Sequence, residues 1–211
     1  MSEEKERGIP RTPFYSFLRP IMGFLFHTIY PMRVINRRGL QALKAPYLLI
    51  ANHNSNWDAV VLGWLCPYEL RCMGKRELIR GRLTKWLFEK QLHMIPISRQ
   101  DSDIQAMRAC MNALKEGHVL CVFPEGTRRL EQLMEKVEKG VAFLALRQRV
   151  DMVPVYIDRK PRPFRLTRAI VGAPMPAGDY PPGPYSEAKA DQICESIRTV
   201  FYGLRDQLRR T

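Results

Sequence analysis

The chain has 211 residues, 45% of them hydrophobic, and a formal charge of +13 at pH 7. That length suits one α/β domain with a sizeable core and leaves little room for two, while the apolar content excludes a disordered chain. The charge favours an anionic partner, whether nucleic acid, a phospholipid surface or a phosphorylated substrate, without choosing among them.

The opening SEEKER stretch is too acidic for a secretory leader, and no small-residue cleavage pattern follows the apolar run after it. That run is PFYSFLRPIMGFLFHTIYPMRVI. Its cleanest part, from Ile21 to Tyr30, lies between Pro20 and Pro31 and reaches only about 15 Å as a helix, half of a ~30 Å bilayer core. A simple span is therefore excluded. Two readings stand: a helix packed on the domain, or an interfacial helical segment dipping into one leaflet. In the second, Phe14, Phe17, Leu18, Ile21, Leu25, Phe26 and Ile29 form the apolar face, and Arg33, Arg37 and Arg38 meet anionic headgroups. Residues 1–35 are assigned to this segment and 36–211 to the following domain.

PYLLIA (46–51) then reads as a buried strand and AVVLGWLC (59–66) as a helix or apolar turn. RCMGKRELIRGRLTKWLFEKQL is expected to be mostly helical and basic, and HMIPISR (93–99) a strand with a proline at its edge. The helix DIQAMRACMNALKEG follows, with Asp101 and Ser102 offered as caps and Gly117 as a stop. HVLCVF is a buried strand entering the polar loop PEGTRR. In LEQLMEKVEKGVAFLALRQR the apolar positions Leu130, Leu133, Met134, Val137 and Val141 predict an amphipathic helix. DMVPVYI and RAIVG read as strands, and AKADQICESIRTVFYGLRDQLRR as the last helix. This alternation predicts a mixed α/β sheet flanked by helices in a single domain.

Cys66, Cys72, Cys110, Cys121 and Cys194 are odd in number and contain no C-x-x-C pair. They point to reduced thiols in a cytosolic compartment and against a disulfide framework or a zinc site. Cys121, inside VLCVF, reads as a small buried hydrophobe.

The polar stretches ANHNSNWD (51–58) and FPEGTRR (123–129) both follow apolar strands, where α/β sheets gather ligands. His53 and Asp58 are five apart, so neither a regular helix nor a strand brings them together, and only a turn does. With Asn54, Ser55 or Asn56 capping a helix, Asp58 falls in its first turn, from where it can hold one imidazole nitrogen and leave the other as a base. For the isolated pair, chance pairing remains the competing reading. FPEGTRR supplies a glycine, a threonine and arginines able to grip an oxyanion; Glu125 there suits a substrate hydroxyl or an arginine-fixing role better than phosphate contact. The alternative is a solvated polar loop. No nucleophile elbow, P-loop or metal-ligand spacing is present in the sequence. A histidine base without a protein nucleophile leaves the attack to a substrate hydroxyl.

Taken together, NHNSNWD, HMIPISR, FPEGTR and MVPVYI resemble the four ordered blocks of the glycerolipid acyltransferase family, which includes the 1-acylglycerol-3-phosphate acyltransferases. The resemblance covers roughly residues 46–157. It implies that His53 and Asp58 are the catalytic pair, that Arg99, Glu125, Gly126, Thr127 and Arg128 bind substrate, and that Pro154 belongs to the fourth block with an acyl-donor or structural role. It further implies transfer of an acyl chain from coenzyme A or acyl-carrier protein to a glycerophosphate hydroxyl, with no metal or tightly bound cofactor. His93 and Ser98 replace the family's frequent glycine and aspartate, and Arg129, Gln132 and Glu138 stand where serine, glycine and lysine are common; Lys139 and Gly140 keep the later K-G pair. These departures bear on acceptor identity.

The sequence therefore predicts an acyltransferase in phospholipid biosynthesis, bound peripherally or monotopically at the cytoplasmic face of a membrane, with a lysophosphatidate-like acceptor. Two rivals remain: a basic nucleic-acid-binding module, weakly suggested by RCMGKRELIRGRLTKW, and a lipid or thioester hydrolase on the same scaffold.

Overall fold

The computed structural model describes residues 12–79, 81–97, 104–128 and 132–211. Among them, seven strands form one sheet in the order β1-β7-β6-β2-β5-β3-β4. The strands are β1 (Met32–Ile35), β2 (Leu48–Ala51), β3 (Leu70–Lys75), β4 (Ile95–Ile97), β5 (Val119–Val122), β6 (Met152–Ile157) and β7 (Thr167–Val171). Only β6 and β7 pair antiparallel. All other neighbours are parallel, so β1 and β7 run against the remaining five.

The central strands read as unbroken apolar runs because both faces of the sheet are covered. Along β2, Leu48 and Ile50 enter one core while Leu49 and Ala51, with Tyr47 just before the strand, enter the other. The first core lies under α5 (Ile104–Lys115), α6 (Lys139–Gln148) and α7 (Glu187–Arg209). The second is closed by α1 (Pro13–Thr28), α2 (Arg37–Gln41) and α3 (Trp57–Leu65). A short α4 (Arg82–Lys85) precedes a π-helical turn, Trp86–Gln91.

The helix α1 runs through Pro20 instead of starting after it, capped by Thr12, whose Oγ1 accepts the Tyr15 N–H. Proline costs the helix one hydrogen bond there, and packing over two further turns outweighs it. At 16 residues it is about 24 Å long, still short of a bilayer core. No helix among the described residues is long and apolar enough to cross a membrane. Tyr15 and Phe26 are buried, with Phe26 against Trp57 and Trp64 of α3. Phe17, Ile21, Phe24 and Ile29 are exposed. The apolar face expected from sequence thus divides: Phe26 belongs inside and Phe24 joins the outer stripe.

Three expectations are corrected. RCMGK is a strand, β3, held between β5 and β4; its basic residues mimic a helix surface only when sheet partners are unknown. Of the helix predicted across 130–149, the described residues become helical only at Lys139, because Glu125 binds the backbone N–H of Met134, which has φ +53°. MRVI, read as part of the apolar run, is β1 and pairs with β7, so the sheet already begins at Met32. The caps offered by Asp101 and Ser102 lie outside the described residues, and Gly117 does terminate α5, at φ +91°.

Candidate active site

The strand β2 ends at Ala51, and Asn52 carries its pairing one step further through a side chain. The Asn52 amide donates to the Ile157 carbonyl at 2.9 Å and its oxygen accepts the Ile157 N–H at 2.8 Å. Asn54 donates to the same carbonyl at 2.9 Å. With β2 and β6 pinned side by side, the main chain turns away at His53, whose N–H donates to Glu125 Oε2 at 2.9 Å.

Asp58 sits in the first turn of α3, where the aligned peptide dipoles favour a negative charge. It is fully buried and accepts from the N–H groups of Asn54 and Ser55 at 2.6 Å each, and from Ser55 Oγ at 3.0 Å. Ser55 Oγ also accepts the Trp57 N–H at 3.2 Å, so Ser55 does the capping although Asn56 holds the N-cap position. The fourth ligand is His53, whose Nδ1 lies 3.0 Å from Asp58 Oδ2. A carboxylate only accepts, so Nδ1 carries the proton and Nε2 presents a lone pair. The His53 side chain remains 19% exposed. Phe123 stacks on its other surface, with ring centroids 4.0 Å apart and planes 18° off parallel. Imidazole orientation is therefore fixed from one edge by charge and from one face by an aromatic ring.

Glu125 has two backbone partners that no sequence pattern shows. It is buried, with Oε2 on the His53 N–H and Oε1 on the Met134 N–H at 2.9 Å, so both oxygens serve backbone. Gly126 beside it has φ +66°, and a Cβ there would come within 2.9 Å of Glu138 Cγ, so the loop requires glycine. Gly126, Thr127 and Arg128 are exposed on the loop that carries Glu125. Arg99 and Ser98 lie outside the described residues, as does Arg129. Pro154 is in mid-sheet opposite Ile50, close against Gly172, where a Cβ would meet its ring at 2.9 Å. Lys139 pairs with Glu187 and Asp191 of α7 at 2.6 and 2.8 Å, which raises its pKa and commits it to joining α6 to α7.

Two buried thiols, Cys110 and Cys121, are not nucleophile candidates. Burial pushes Cys110 up to about 12, and a hydrogen bond with Cys72 together with burial raises Cys121 well above the ordinary thiol range. Among the described residues no group of His, Cys, Asp and Glu side chains is placed to hold a metal ion. What the geometry offers is a base with an ordered tautomer, a buried anion behind it, and an exposed cation on the adjacent loop. Sequence reasoning singled out His53 and Asp58 and offered Ser55 as one of three caps, but missed Asn52 and Phe123. The signal for Phe123 was present, since it is the last apolar residue before the second polar loop.

Comparison with known proteins places the chain in a family. Residues 31–158 match the family model described as Acyltransferase. A 1-acyl-sn-glycerol-3-phosphate acyltransferase of Bacillus subtilis is 26% identical over 185 residues, covering 84% of this chain and 89% of its own. The Saccharomyces cerevisiae enzyme of the same name is 28% identical over 149 residues, which are 69% of this chain and 46% of the yeast protein. In fold, the chain is similar to the crystal structure of the 1-acyl-sn-glycerophosphate acyltransferase PlsC from Thermotoga maritima, with a TM-score of 0.68 and 21% identity over 94% of this chain and 79% of that one. With the family model spanning both polar loops and more than half of its length, the chain belongs to the acyltransferase family.

Proposed function

We propose that the protein is a 1-acylglycerol-3-phosphate O-acyltransferase, moving a fatty acyl chain from a coenzyme A or acyl-carrier-protein thioester to a lysophosphatidate-like hydroxyl at the cytoplasmic surface of a membrane. The observation that carries this reading is the His53–Asp58 pair, with Nδ1 donating to a buried carboxylate and Nε2 left as a base. His53 Nε2 takes the proton of the acceptor hydroxyl as its oxygen attacks the thioester carbonyl. The C–O bond forms, and the tetrahedral carbon then releases the thiolate as the C–S bond breaks. The imidazolium returns its proton to the leaving sulfur, so the base is regenerated. Asp58 stays ionised and stabilises the imidazolium between the two proton transfers. Arg128, joined by Arg99, supplies positive charge for the acceptor phosphate.

The names and coverage of the relatives support this reaction class, and the exposed stripe of α1 supports action at a bilayer surface. A nucleic-acid-binding module has no use for a buried aspartate on a histidine. The decisive experiment is an acceptor panel with a labelled acyl donor: lysophosphatidate, glycerol 3-phosphate and a zwitterionic lysolipid. Transfer preferring lysophosphatidate is expected. Thioester cleavage at the same rate without any acceptor would replace this reading with a hydrolase.

A further inference from the structure

The connection between β6 and β7 holds the most exposed large apolar side chain among the described residues: Phe164, at 82%, with Leu166 at 49% two positions on. The connection leaves the sheet from Ile157, the residue that Asn52 and Asn54 grip beside His53. Its base is closed by Asp158, whose carboxylate accepts the Arg168 N–H at 3.0 Å. Because β1 and β7 run against β6, the C-terminal end of α1 arrives at this same end of the sheet. The Phe164 N–H donates to the Ile29 carbonyl and the Thr167 N–H to the Pro31 carbonyl. Exposed Ile29 and exposed Phe164 are thus tied together by main chain.

The tip is a tight turn in which the Arg165 N–H donates to the Arg162 carbonyl at 3.2 Å. Pro163 takes its second position and Phe164 its third, with φ +57°. A turn with proline followed by positive φ is of type II, and its third position favours glycine. A bulky aromatic held there opposes local backbone preference and gains no buried contact in this chain. The connection and its margin carry Arg159, Lys160, Arg162, Arg165 and Arg168 against Asp158; Arg159 and Arg168 pair with Asp158 at the base, which leaves Lys160, Arg162 and Arg165 nearest the tip in sequence. An apolar tip flanked in sequence by cations matches the boundary between acyl chains and anionic headgroups.

We infer that the Asp158–Leu166 loop is a second membrane contact, independent of the α1 stripe, which inserts Phe164 and Leu166 into an anionic bilayer and presses the His53 end of the sheet against it. This rests on the reading that the enzyme works at a bilayer surface. The test uses the full chain, Phe164→Gly and Phe164→Trp, titrated with vesicles of phosphatidylglycerol and phosphatidylethanolamine in equal parts and with phosphatidylcholine vesicles. Glycine suits the turn, so Phe164→Gly should keep or raise Tm and keep turnover on a short-chain, water-soluble lysophosphatidate. Its partitioning onto the anionic vesicles should fall about tenfold. The added emission of Phe164→Trp should shift blue with anionic vesicles only. If the parent chain fails to bind vesicles, the surface reading itself is lost. If the parent binds but both variants bind equally without a spectral shift, the loop inference alone is overturned. It is also overturned if Phe164→Gly slows turnover on the soluble acceptor, or if an acidic carrier protein produces the shift in place of vesicles.

Discussion

Replacing His53 with Ala should abolish acyl transfer with Tm little changed, because the side chain contributes one hydrogen bond and a stack but supplies the base. Purified variant turning over near the parent rate would refute the mechanism. Asp58→Asn should cost more than rate. The N–H groups of Asn54 and Ser55 and His53 Nδ1 all meet Oδ2, which an amide oxygen can replace with its nitrogen on Ser55 Oγ, but three charge-assisted hydrogen bonds become neutral ones, so kcat should fall by about 10²–10⁴ and stability by roughly 1–3 kcal/mol. Glu125→Gln separates positioning from substrate binding: with both oxygens on backbone, it should lower Tm and kcat and leave the acceptor KM near its parent value. Arg128→Ala and Arg99→Ala should instead raise the acceptor KM or lower kcat/KM, each lost charge-assisted contact costing roughly 1.5–3 kcal/mol, with the donor KM moving less. Equal effects on both substrates would assign these arginines to the fold or the coenzyme. His53 and Asp58 were legible in sequence because a turn after an apolar strand has no other need of them. The Glu125 partners were not, since they are backbone groups at positions 53 and 134 and no spacing rule ties a carboxylate to a distant N–H.

Among elements, α1 carries two apolar faces with different duties. Phe26 is wholly buried against Trp57 and Trp64, so Phe26→Ala should cost about 3–5 kcal/mol, seen as a lower denaturation midpoint. Changing Phe17, Ile21 and Phe24 together to Ser should leave that midpoint almost unmoved and weaken vesicle binding. A large loss of stability from the triple change would make the outer stripe part of the core. The helical run was readable from its apolar residues, but the division of its faces was not, because both faces are apolar and periodicity registers contrast. The same limit explains β3: basic residues at a sheet margin and on an amphipathic helix look alike until pairing with β5 is known. Elements with apolar contrast and clear punctuation, such as β5, α7 and the Gly117 stop, were read closely from sequence.

For the whole molecule, the charge of +13 predicts binding to anionic vesicles that weakens with added salt, as screening over about 10 Å at 0.1 M removes the long-range attraction. Stability should depend on pH through His118. Burial first, and then the Arg71 charge, hold this imidazole below its ordinary 6.5; Arg71 donates to its Nε2 at 3.1 Å. The unfolded chain therefore takes up the proton first. The stability this neutral histidine contributes is complete above about pH 6.5 and is lost as pH falls below it. His118→Gln should flatten that slope in denaturation midpoints measured from pH 7.5 to 5. Parallel neighbours must be joined by crossovers, usually helices, that are part of the core, whereas β6 and β7, the single antiparallel strand pair among the described residues, are joined by a loop. At that one position segments can be exchanged, lengthened or shortened without repacking a helix, which makes it the natural grafting point for redesigning what the enzyme approaches while its sheet and its histidine stay as they are.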